Sequence, residues 1–82
     1  MPQRPREWSS YLPDGRRVHV QRLDDGWHVS CEHRDATAPA LLAAIEKAVG
    51  LGDRELAPDE RLDVALRQWV RTHAVQIEAE RG

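Results

Sequence analysis

Three strand-like runs, two turn signals between them and two helical runs behind them predict an α+β fold. The expected architecture is a three-stranded antiparallel meander (βββ) followed by two helices packed on one face of the sheet. The runs are "EWSSYL", "RRVHVQRL" and "WHVSCEH", separated by "PDG" and "DDG". What decides for a sheet is that the two turns, taken independently, send the same apolar residues to one side.

In "LPDGR", Pro13 suits the first corner of a type I turn, Asp14 the second, and Gly15 the left-handed position of a G1 bulge. That loop sets Leu12 opposite Arg16, Ser10 opposite Val18 and Trp8 opposite Val20. In "LDDGW", Asp25 and Gly26 suit a type I′ turn. It sets Asp24 opposite Trp27, Val20 opposite Cys31 and Val18 opposite His33. Side chains alternate along a strand. Trp8, Leu12, Val18, Val20, Trp27, Val29 and Cys31 are therefore expected on one face. His19, Gln21, Leu23, His28, Ser30 and Glu32 fall on the other.

"DATAPALLAAIEKAVGLG" predicts the first helix. Thr37 or Ala38 is the expected cap, Pro39 sits in the first turn, and Gly50 ends the helix in the left-handed position. Leu41, Ala44, Ile45, Ala48 and Val49 form one stripe, with Leu42 on its edge. After the connector "LGDREL", a second helix is expected from about Pro58 to Glu80, with Asp59 and Glu60 near its positive N-terminal end. Leu62, Ala65, Leu66, Trp69, Val70, His73 and Ile77 share one arc of it. Residues 1–6, "MPQRPR", read as a flexible N-terminal tail, and residues 7–82 as a single βββαα domain.

Composition then narrows the function. A chain of 82 residues forms one domain near the lower limit for a single hydrophobic core, and 40% apolar content argues against disorder. A net charge of −2 argues against generic nucleic-acid binding, which draws on Lys and Arg for counterion release. The basic residues are all Arg except Lys47, which points to a GC-rich bacterial or phage genome. The single Cys31 cannot close an intrachain disulfide. "MPQRPREW" is followed by no apolar stretch of a signal peptide, and no apolar run approaches the roughly 20 residues that span a bilayer. The expected location is cytoplasmic.

The one stretch that resembles chemistry is "DDGWHVSCEHRD", with His28, Cys31 and His33 close together. On a strand, His28 leaves one side while Cys31 and His33 leave the other, so they cannot share an ion. Neither a metal nor any other cofactor is expected. Ser9, Ser10 and Ser30 lie in strands without the sharp turn that exposes a nucleophile, and phosphate-binding glycine loops are absent. Glu32 lies near His19 on a flat, solvated face, whereas catalysis favours concave sites. No enzymatic activity is expected. "DDGWHV" followed by "LLAAIEKAV" resembles the hairpin and helix of HicB-type antitoxins. It does so without a diagnostic motif, and no fold, partner or residue role is carried over from it.

Binding is what remains. A helix of about 23 residues, about 35 Å long, outruns the strands. Its C-terminal half is expected to leave Trp69, Val70, His73 and Ile77 partly uncovered, as a contact surface for another protein or for a second copy in a homodimer. A small regulator or adaptor is the leading expectation. The alternative is nucleic-acid binding through Arg16, Arg17 and Arg22; a third class is a homo-oligomeric structural or assembly component. On the other side of the same helix, Val64, Gln68, Arg71 and Val75 form a stripe suited to a helix–helix dimer or a partner groove.

Overall fold

The computed structural model describes residues 7–53, 55 and 58–81. The expected tail at residues 1–6 lies outside them. The fold is α+β, with an antiparallel sheet and two helices, but the sheet has four strands rather than three. The elements are β1 (Glu7–Tyr11), β2 (Arg17–Leu23), β3 (Gly26–Cys31), β4 (Arg34–Ala38), α1 (Leu41–Val49) and α2 (Glu60–Arg81). The strands lie in chain order, each paired with the next.

The first hairpin has the expected register: Trp8 faces Val20 and Ser10 faces Val18. Gly15 takes a φ of 92°, and the Gly15 amide donates to the Leu12 carbonyl at 2.9 Å. The second hairpin is shifted by two residues. Leu23 pairs with Gly26, Val20 with Val29 and Val18 with Cys31, so Asp24 and Asp25 form the corner. Gly26 is therefore a strand residue, and the reason is a close approach rather than a turn. A Cβ built there would stand 2.6 Å from the Ala38 carbonyl oxygen and 3.2 Å from Pro39 Cα. A two-residue shift keeps every side chain on its own face, so the predicted apolar set survives the wrong register.

The fourth strand occupies residues assigned above to the first helix's approach. Glu32 and His33 make its corner, with Cys31 paired to Arg34. Glu32 sits at φ 55°, where a non-glycine residue costs about 1–2 kcal/mol. Its carboxylate recovers part of that by accepting the Arg17 amide at 3.0 Å. Thr37 and Ala38 are strand residues, not helix caps. Pro39 explains the outcome, because the residue before a proline is pushed into extended backbone. The helix then starts after Ala40, an extended residue whose side chain makes no capping bond. At the other end Gly50 has φ 78°, and the Gly50 amide reaches the Glu46 carbonyl as expected.

The core is one contiguous cluster. Val18, Val20, Trp27, Val29, Cys31 and Ala38 come from the sheet, Leu41, Ala44, Ile45, Ala48 and Val49 from α1, and Leu66, Val70, Ala74 and Ile77 from α2. α1 lies against β3 and β4, and α2 packs chiefly on α1. Trp8 packs against this cluster with its ring centroid 5.8 Å from that of Trp27. Two rings fill much of the volume that several smaller side chains would otherwise have to fill.

Two stability changes follow. Ala40→Asp supplies the missing cap and a charge at the helix N-terminus, and is expected to raise unfolding free energy by about 1 kcal/mol in urea titration. Gly26→Ala forces its Cβ into backbone and is expected to lower it by about 1–3 kcal/mol.

Candidate functional site

The expected contact arc divides in the structure. Val70 is 1% exposed and Ile77 is 7% exposed, so both are core residues and not an uncovered surface. The core stripe of α2 runs through Leu66, Val70, Ala74 and Ile77, which rotates the buried side away from Trp69 and His73. Those two are half-buried at its edge and bind each other. Their rings stack at 3.9 Å and 19°, and His73 Nδ1 donates to the Trp69 carbonyl at 2.9 Å. The pair is a cover over the core, with one ring nitrogen of the histidine already used by the helix backbone. Ile77→Asp is accordingly expected to abolish the native circular-dichroism spectrum rather than an association alone, because a carboxylate there would be buried without a partner.

The three arginines of the alternative surface do not come together. Arg16 is a clasp. Its Nε donates to Asp14 Oδ2 at 2.7 Å, its Nη1 to the Val49 carbonyl at 3.0 Å, and its side chain is 16% exposed. The clasp ties the β1–β2 turn to the last turn of α1, where a cation also suits the helix's negative end. Arg17 projects from the open face of the sheet beside His19, while Arg22 is paired with Trp27 and belongs to the core side. A strand residue's parity separates them. Replacing Arg16 with Ala is expected to cost about 1–3 kcal/mol in thermal or urea unfolding, whereas Arg17→Ala is expected to stay within about 0.5 kcal/mol.

The sheet face turned away from α1 carries the polar side chains. Ser9 Oγ lies 3.1 Å from His19 Nδ1, and Glu7 Oε1 lies 3.9 Å from His19 Nε2. His28 Nε2 lies 3.7 Å from Asp35 Oδ2 in the next rows of the sheet. The Ser9–His19–Glu7 line has the order of a nucleophile, base and orienting acid, which the sequence reading missed because it paired His19 with Glu32 instead. Glu7 and Ser9 are solvent-exposed on β1, and the hollow beside His19, lined by Arg17, Ser30 and Glu32, is shallow and open to solvent rather than an enclosed cleft. Among the described residues no group of three or more His, Cys, Asp or Glu side chains is placed to hold a metal ion.

Cys31 is 1% exposed, and burial pushes its thiol up, with the Arg16 guanidinium opposing the shift. A raised pKa in the folded state stabilises the fold fully below the ordinary thiol range and loses that contribution as pH rises through it and above. Unfolding free energy is expected to fall on the alkaline side of the thiol range in the wild type, with that component absent in Cys31→Ala.

The outer side of α2 is where exposed aliphatic surface gathers. Val64 is 61% exposed and Val75 is 65% exposed, with the exposed residues Gln68 and Arg71 between them. At 100° per residue this stripe lies on the opposite side of the helix from Leu66, Val70 and Ile77. No protein-family model, curated protein or solved structure matches this chain. Among the described residues no helix is long and apolar enough to cross a membrane.

Proposed function

We propose that the chain is a small non-enzymatic protein-binding module, a bacterial or phage regulator or adaptor acting in the cytoplasm. The contact surface is the solvent side of α2. The observation that carries this reading is the coincidence of Val64 and Val75, the two large aliphatic side chains of α2 that are more than half exposed, on one stripe opposite the core. Among the described residues the core makes no use of that stripe, and two valines with Gln68 and Arg71 between them have the mixed apolar and polar character of a reversible contact surface. This moves the contact off Val70 and Ile77, which the core consumes. The nucleic-acid alternative loses support because Arg16 is held by Asp14 and Val49, and Arg17 and Arg22 leave opposite faces.

The reading is tested by comparing wild-type protein with Val64→Asp/Val75→Asp as baits, each with nuclease-treated and untreated lysate. The double variant is expected to keep the native circular-dichroism spectrum and to lose the proteins that wild type retains after nuclease. Retention of the same proteins by both baits would show that the surface lies elsewhere. Capture that disappears with nuclease would instead make nucleic acid the partner.

A further inference from the structure

We propose that the partner taken by the outer stripe of α2 is a second copy of the same chain, paired antiparallel about a two-fold axis that passes between positions 69 and 70. The inference rests on the reading of that stripe as a contact surface, and it names the occupant.

The argument is the self-complementarity of the stripe. Arg61, Val64, Gln68, Arg71, Val75 and Glu78 are all exposed and follow one another at alternating steps of three and four residues. That spacing is the seam of a two-helix contact. An isologous contact requires each residue to meet the residue at the mirrored position of the other copy. Reversing the stripe sets Val64 on Val75 of the second copy, Gln68 on Arg71, and Arg61 on Glu78. Each position meets chemistry that suits it: aliphatic on aliphatic, amide on guanidinium, cation on anion. The two-fold axis repeats all three matches. A parallel pairing of the same stripe would set Arg71 on Arg71 and Arg61 on Arg61, so like charge selects the antiparallel arrangement.

The contact is small. One seam of a single helix pair falls below the area of a standard protein–protein interface, and its centre is polar. The association is therefore weak and reversible, with a dissociation constant roughly in the micromolar to submillimolar range. It weakens with added salt because its outer pairs are exposed charges.

Sedimentation equilibrium of the full chain across a concentration series tests this, with variants chosen to read the register. Arg61→Glu alone sets glutamate against Glu78, and Glu78→Arg alone sets arginine against Arg61. Each is expected to weaken self-association at least roughly tenfold. An equimolar mixture of the two variants places opposite charges at both outer pairs, and is expected to recover association close to wild type. Val64→Asp is expected to be monomeric with a native circular-dichroism spectrum. A wild-type chain that stays monomeric up to about millimolar concentration overturns the proposal. So does a dimer that both single charge reversals leave intact, or one that their mixture fails to restore. If the chain is monomeric while Val64→Asp/Val75→Asp still loses a protein captured by wild type, the second-copy inference fails and the contact-surface reading stands.

Discussion

Period-two alternation along four short strands constrains everything else in this chain. Trp8, Val18, Val20, Trp27, Val29, Cys31 and Ala38 leave one side of the sheet because pairing fixes their parity. With Leu12 beside β1 and the half-buried Ala36 of β4 they make the apolar side of the sheet, so α1 lies on that side and α2 closes the same core. The opposite side is left to the polar residues Glu7, Ser9, His19, His28 and Asp35, which contact one another across the strands. A domain this small has apolar area for only one core. The imidazoles of His19 and His28 are therefore on the open face of the sheet, whereas Cys31 is inside that core.

The two ends of α1 are held by different means. Its C-terminal end is satisfied three times over: Gly50 turns in the left-handed region, Arg16 donates to the Val49 carbonyl, and Lys47 lies in the last turn. Its N-terminal end has Ala40 with no capping side chain and no acidic residue in the first turn. The start is held instead by chain geometry, since β4 delivers the backbone through Pro39 with φ already fixed. Arg16 therefore works as part of the fold. An arginine next to an aspartate in a turn gives no sign in the sequence that a helix end will also need it.

How much of this was legible depended on whether the signal was local. The first hairpin was readable in full, because Pro13, Asp14 and Gly15 specify both the turn and the register. In the second, Gly26 was read as a turn residue when its role is to let the Ala38–Pro39 backbone pass close by, a tertiary demand invisible in sequence. The face assignment survived since the slip was an even number. β4 went unread because "RDATA" has no bulky branched residue other than Thr37, and "TAP" imitates a helix start. The signal that could have found it was Pro39, which disfavours helix at Ala38. On α2 the helical period located the apolar side but not its centre. Ala74 joins the core stripe while Trp69 and His73 stay at its edge, and a fourth strand adds about 4.8 Å of sheet width that a three-stranded estimate leaves out.

The same rotation explains why α2 has two separable sides. Once Leu66, Val70, Ala74 and Ile77 face inward, Val64 and Val75 are carried to the far side and are exposed among the described residues. They add little to folding: surface aliphatics remain in water in the monomer, so removing them leaves the core's free energy unchanged. The polar residues between them work in the same direction. Gln68 and Arg71 interrupt the exposed apolar surface, whereas a continuous row of leucines would aggregate or demand a permanent partner. An obligate dimer spreads its core across the interface, and its subunits do not fold apart. Here the core is complete on one side of α2 and the exposed stripe lies on the other, so substitutions in the stripe are separable from the packing that keeps the chain folded.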